Sequence, residues 1–293
     1  MGFAYRHRLL AHQKWVEASD TQHPSWEVVD AQSLEELGYR TCDIAGTDPY
    51  PIGESNVAGS AAAAGVHLAL NRTIAETDSA KPLWMVVQAM NWLVYDKTCR
   101  GPSPAACHTP TRDEFRSMMW QSIAGGANGI FVYMFTDLFK NPDVPFDVSF
   151  GYMSEVAAEV LSFAPMLLSD AGPAPRPTTH GADSDSRAQD LGWLMTRAQW
   201  VGEDKSCSSA NTSRCVYWLA TVSDGTGSGR VRFDFSNRLD LRCDGASNHL
   251  RSVTPLGSST NGSAAPRIDG CGFTDLIPVL GLRVYNITGL TSA

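Results

Sequence analysis

Positive charge is in short supply. Of 293 residues, 23 are Lys or Arg against 31 Asp or Glu, a formal net charge of -8, and the basic residues form no cluster. That balance argues against nucleic acid or an anionic membrane as a partner. Uninterrupted apolar runs long enough for a transmembrane helix are also missing. The first ten residues, Met1 to Leu10, hold an apolar pair but no signal-peptide core and no small-residue cleavage site. No Cys-x-x-Cys pair suggests zinc, and the histidines are scattered without ligand spacing. A nucleophile elbow, a phosphate loop and a dinucleotide fingerprint are all lacking; Gly225-Thr-Gly-Ser-Gly229 lies in a β-rich stretch and opens no helix. Neither a metal nor a cofactor is expected.

The cysteines that are present point outward. Cys99 and Cys107 sit close together in a Pro-rich loop, Cys207 and Cys215 flank a polar segment, and Cys243 and Cys271 bracket a Ser/Gly-rich loop. Three local pairs with Cys42 left over, at the head of an apolar strand, is a disulfide-compatible layout. Asn-x-Ser/Thr sequons begin at Asn71, Asn211, Asn261 and Asn286. Together these features favour a secreted protein, and the missing leader then implies that the sequence is truncated at its N-terminus.

Along the chain, helical spacing over residues 4–19 precedes a short strand near 26–30 and an apolar strand near 42–48 stopped by Pro49 and Pro51. Ala-rich residues 57–76 read as a helix. Strand 83–88 follows, its apolar run Trp84-Met-Val-Val87 typical of a strand buried on both faces. Thr111 with Glu114 three residues on is a capping box for a helix ending at Gly125-Gly126, and strand 129–135 and an amphipathic helix over 152–168 complete the pattern. Strand alternating with helix is the signature of a parallel sheet, here four βα units. Residues 170–187, rich in Pro, Ala, Ser and Asp, read as a linker. Short alternating segments separated by Gly/Ser turns over 188–293 read as an antiparallel β-sandwich.

Four segments in order, Asp43-Ile-Ala-Gly-Thr-Asp-Pro-Tyr-Pro-Ile52, Pro82-Leu-Trp-Met-Val-Val-Gln-Ala-Met-Asn-Trp92, Thr109-Pro-Thr-Arg-Asp-Glu-Phe-Arg116 and Gly125-Gly-Ala-Asn-Gly-Ile-Phe-Val-Tyr133, carry a resemblance. The chain resembles the second half of a TIM-barrel glycoside hydrolase of the retaining (β/α)8 superfamily, with a C-terminal β-domain. The resemblance implies a partial (β/α)8 barrel over 1–169, corresponding to barrel strands five to eight, followed by the sandwich. It implies a carbohydrate as ligand. It also exposes two departures. The barrel strand that would carry the acid/base Glu has no counterpart here, and Gln88 stands where the nucleophilic Glu is expected; a neutral amide cannot attack an anomeric carbon.

A barrel site is assembled from the C-terminal ends of several strands. Asp48 at the second strand end is the candidate catalytic carboxylate, or else a turn Asp bonding the next backbone amide. Tyr50 and Trp92 offer rings for a sugar to stack on, or core aromatics. Gln88 could orient sugar hydroxyls, or satisfy loop backbone, and Asn91 could hydrogen-bond a ligand. Tyr133 and Asp137 end the fourth strand, and Asp30 ends the first. Two functions follow: a glycoside hydrolase-like protein acting on or binding a polysaccharide, or a non-catalytic carbohydrate-binding or scaffold protein on a degenerate barrel. A third is a fragment with no independent function. Four βα units leave two open sheet edges, so self-association is expected.

Overall fold

The computed structural model describes residues 2–29, 42–53, 64–77, 81–98, 106–182, 191–202, 216–236, 241–243, 250–256 and 265–292. The chain divides into two compact units, Met1–Met153 and Ser154–Ala293.

The first unit opens with helix α1 (Gly2–Ser19), which stops where Asp20 Oδ1 accepts from the Gln22 and His23 amides at 3.1 and 3.2 Å, an Asx turn competing with the helix. Strands β1 (Trp26–Val28), β2 (Ile44–Thr47), β3 (Leu83–Gln88) and β4 (Gly129–Tyr133) form one parallel sheet in sequential order. Helices α2 (Ala64–Glu76) and α3 (Arg112–Ala124) connect the later strands; α2 packs on β2 and α3 on β3. The α3 capping box forms as predicted: the Glu114 amide donates to Thr111 Oγ1 at 3.3 Å, and the Thr111 amide to Glu114 Oε2 at 2.8 Å.

The sheet has two unlike faces. Along β3, Leu83, Met85 and Val87 are buried and alternate with Trp84, Val86 and Gln88. On the second face Trp26, Trp84 and Phe131 gather, with ring centroids 4.7–5.4 Å apart. Glycines make room for them: a Cβ on Gly46 would lie 2.3 Å from Trp26 Nε1, and one on Gly129 2.7 Å from the Trp84 ring. Trp26 and Phe131 remain exposed.

After β4 come the short helix α4 (Phe135–Leu138) and helix α5 (Phe146–Ser162). The expected helix over 152–168 therefore begins six residues earlier and breaks at Phe163. Pro165 explains the break, since its ring clashes with the carbonyl four residues back, and the turn α6 (Ala164–Leu167) follows.

The second unit is an antiparallel sandwich. Strands β5 (Thr178–Gly181), β6 (Leu194–Val201), β7 (Val216–Ser223), β8 (Gly229–Asp234), β9 (Leu241–Cys243), β10 (Ser252–Pro255), β11 (Arg267–Ile268), β12 (Gly272–Ile277), β13 (Leu282–Thr288) and β14 (Leu290–Ser292) supply two four-stranded sheets, ordered β10-β13-β7-β6 and β11-β12-β8-β5, and the small ribbon β14-β9. Tyr217, Leu219 and Tyr285 from one sheet meet Phe233, Phe273 and Ile277 from the other in a single core. Thr178–Gly181 lies inside the stretch read as a linker, yet pairs with β8 from Thr178↔Asp234 to Gly181↔Val231. Cys243–Cys271 is a disulfide, and Cys107 is disulfide-bonded; Cys99, Cys207 and Cys215 lie outside the described residues, as do Asn211 and Asn261. Asn71 is exposed on α2, whereas Asn286 sits mid-strand in β13 between Trp218 and Thr254.

Candidate functional site

The parallel sheet brings the ends of β2, β3 and β4 side by side, because strands in sequential order with helices between them all finish at one edge. What stands at those ends is an aromatic group bracketed by carboxylates. Tyr50, buried, stacks on Tyr133 at 5.4 Å and 27° and meets the edge of Trp92 at 6.1 Å. The Trp92 indole N–H donates to the Tyr50 carbonyl at 3.3 Å, which locks the two loops together.

At one side Tyr50 hydrogen-bonds the Asp48 side chain; burial, and then the Asp48 charge, push its phenol well above the usual range. At the other side the Tyr95 and Tyr133 hydroxyls are 3.1 Å apart, and Tyr95 also donates to Asp137 Oδ2. Burial of its hydroxyl, followed by that bond to Asp137, raises the Tyr95 phenol as well. Asp137 is fully buried and receives Lys140 Nζ on Oδ1 at 3.1 Å. Asp48, Tyr50, Tyr133, Tyr95 and Asp137 thus run as a carboxylate–phenol series across the strand ends. The Tyr50 and Tyr95 hydroxyls are engaged with Asp48 and Asp137, the carboxylates can accept further hydrogen bonds, and the group is rich in aromatic rings.

Gln88 and Asn91 are placed differently. Gln88 is fully buried. Its Oε1 accepts from the Ile52 amide at 2.8 Å, while Nε2 donates to the Ile52 and Met90 carbonyls at 2.9 and 3.0 Å. Asn91 is likewise buried and caps the 3₁₀ turn Trp92–Val94, its Oδ1 accepting from Leu93 at 3.0 Å. Its Nδ2 donates to Asp143 Oδ1 at 3.1 Å and its backbone amide to Asn141 Oδ1 at 3.0 Å. Both side chains spend their hydrogen bonds on holding the loops that carry Tyr50 and Trp92. Asp30 lies outside the described residues.

Tyr95, Lys140 and Asp143 were not singled out from the sequence. Tyr95 follows Trp92 by three residues, and only the 3₁₀ turn between them swings its hydroxyl to the β4 end. No sequence signal pairs it with Asp137, forty-two positions away. Asp143 accepts from the Thr109 hydroxyl at 2.5 Å and the Thr109 amide at 2.8 Å as well as from Asn91, so it fixes the base of the β3 loop. Among the described residues, no group of three or more His, Cys, Asp or Glu could hold a metal, and no helix is long and apolar enough to cross a membrane.

No family model and no curated protein matches the sequence. Among solved structures the chain is similar to a polyextremophilic β-galactosidase from the Antarctic haloarchaeon Halorubrum lacusprofundi, at 14% identity and a TM-score of 0.43, over 60% of this chain and 28% of that one. It is also similar to a GH27 β-L-arabinopyranosidase from Geobacillus stearothermophilus, at 8% identity and a TM-score of 0.30, over 88% of this chain and 59% of that one. The chain spans less than two thirds of the length of either.

Proposed function

We propose that this protein is a glycosidase-like carbohydrate binder whose site is the aromatic and carboxylate group at the ends of β2, β3 and β4. The observation that carries the reading is the series from Asp48 through Tyr50, Tyr133 and Tyr95 to Asp137, flanked by Trp92. Sugar rings present apolar C–H faces that pack on aromatic planes and hydroxyls that bond to neutral phenols and carboxylates. The sheet is read as the second half of a (β/α)8 barrel, which puts such groups at strand C-termini.

Binding without hydrolysis is the better-supported activity. The β3 end carries Gln88, whose amide is committed to Ile52 and Met90, and it offers no nucleophile. A hydrolytic reading rests on Asp48 instead, which would act with a second carboxylate from a fuller barrel. Incubation with polysaccharides separates the two. The account expects glycan retention with no new reducing ends; release of reducing ends, abolished by Asp48→Asn, would establish hydrolysis. The disulfide Cys243–Cys271 and the exposed sequon at Asn71 support a secreted protein; detection in the culture medium of an expressing eukaryotic cell tests this, and retention in the cytosol refutes it.

A further inference from the structure

The loops that follow β2 and β3 meet at Gly53. Gln88 fixes the neighbouring Ile52 through two hydrogen bonds. The backbone then turns with Gly53 at φ +97°, a left-handed conformation that favours glycine. A Cβ there would lie 3.0 Å from Trp92 Cδ1, 3.1 Å from Cys107 Cα and 3.3 Å from Cys107 Sγ. The Trp92 ring and the Cys107 backbone therefore close on the β2 loop at a residue with no side chain to hold them off. Cys107 is buried and disulfide-bonded.

We propose that the Cys107 disulfide, seated on Gly53, is the positioning element that sets Trp92 against Tyr50 and makes the site dependent on an oxidising environment. This rests on the glycan reading for what the site binds, and on geometry alone for how Trp92 is held. The polar tie of Trp92 is long: its indole N–H reaches the Tyr50 carbonyl at 3.3 Å. Its ring meets the Tyr50 ring at an edge, with centroids 6.1 Å apart. Confinement beside Gly53 is what keeps that edge contact in place.

The restraint on Cys107 is unevenly shared. Downstream, the Thr109 amide and hydroxyl donate to Asp143 at 2.8 and 2.5 Å, and the Tyr152 hydroxyl donates to the Pro110 carbonyl at 2.5 Å. At Cys107 itself the carbonyl accepts from Asn91 Nδ2 at 3.4 Å, near the limit of a hydrogen bond. The disulfide is thus the strong restraint at the point that touches Gly53. A dithiol would remove it by exchange. The disulfide takes up two electrons and two protons to give two thiols, while the reductant's two thiols become a disulfide. Cys107 can then lift from Gly53, which opens the space that confines the Trp92 ring. In oxidising surroundings the bond persists and the ring stays in place.

Acrylamide quenching of tryptophan fluorescence in the full chain tests this, the Trp92 share being the difference between the parent and Trp92→Phe. In Cys107→Ser, with circular dichroism unchanged, that share should become easier to quench. Glycan retention should fall roughly tenfold, the scale of one lost ring contact. Dithiothreitol added to the folded parent should do the same, reversibly on reoxidation. Cys243→Ser with Cys271→Ser, which removes the disulfide of the second unit, should leave Trp92 as it was. Should Cys107→Ser fail to fold, Gly53→Ala with the disulfide intact should itself displace Trp92. A Trp92 share equally shielded in folded Cys107→Ser, in the reduced parent or in Gly53→Ala overturns the proposal. An equal gain in quenching on removing Cys243–Cys271 overturns it too. The expected gain in a parent that retains no glycan upholds the positioning role and sinks the glycan reading alone.

Discussion

Gln88 and Ile52 hold each other through a reciprocal pair of hydrogen bonds: the Ile52 amide donates to Gln88 Oε1 at 2.8 Å, and Gln88 Nε2 donates back to the Ile52 carbonyl at 2.9 Å. The amide side chain behaves as a piece of backbone, completing with a third bond to Met90 a turn that no strand supplies. Its neutrality is what makes the arrangement possible, since a carboxylate has no N–H to offer two carbonyls.

Replacing Gln88 by Leu should therefore cost about 2–4 kcal/mol in urea unfolding, because buried backbone groups of Ile52 and Met90 lose their partners. Gln88→Glu should destabilise in a pH-dependent way. Facing two carbonyls, the new carboxyl has its folded pKa raised above its unfolded value. The variant should be most stable when the group is protonated, at low pH, and lose stability as pH rises through the folded pKa. It should gain no hydrolytic activity. A Glu variant as stable as the parent at neutral pH would show that the loop is held in some other way.

The loop below Trp92 depends on Asp143. Burial raises its carboxyl, but the Thr109 hydroxyl and amide and the Asn91 side chain outweigh this and hold it below the usual carboxylate range. A depressed folded pKa gives stability that is present above the unfolded value and lost as pH falls through the folded one. Asp143→Ala should cost about 1–3 kcal/mol at pH 7, through the stranded partners on Asn91 and Thr109. The gap between parent and variant should close as acid protonates Asp143. A gap independent of pH would locate the loss elsewhere.

Among the described residues Cys42 is the cysteine outside any disulfide, and burial pushes its thiol up to about 11. The folded chain should thus resist iodoacetamide at pH 8 and react on unfolding, because the thiolate is the nucleophile. For an acid whose folded pKa is raised, the protonated form carries the stability. That contribution is intact below the ordinary thiol pKa and is lost as pH rises towards 11. Rapid labelling of the native chain at pH 8 would contradict this burial.

Periodicity made the backbone legible and left the side-chain partnerships hidden. The apolar run Trp84–Val87 and the Thr111/Glu114 box are local signals, and the strand and helix they predict form there. Thr178–Gly181 escaped because its strand is defined by β8, some fifty residues downstream, while its own flanks are rich in Pro and Ser. The helix break at Phe163 was masked by apolar spacing that continues across Pro165. At the strand ends, residue type picked out Tyr50, Tyr133 and Asp137, which the fold does bring together, whereas Tyr95 was invisible because its role depends on a 3₁₀ turn. Gln88 and Asn91 sit where the strand ends predict, and their hydrogen bonds turn inward to the loops.

The central claim is that the aromatic and carboxylate series at the strand ends takes up a carbohydrate. A glycan array probed with the full chain, beside Trp92→Ala and Tyr50→Phe variants shown by circular dichroism to be folded, tests it most directly. The account predicts that the parent retains a defined set of glycans and that both variants lose them at least about tenfold, the scale of one lost ring contact or buried hydrogen bond. A parent that retains no glycan, or variants that retain them undiminished, would contradict it.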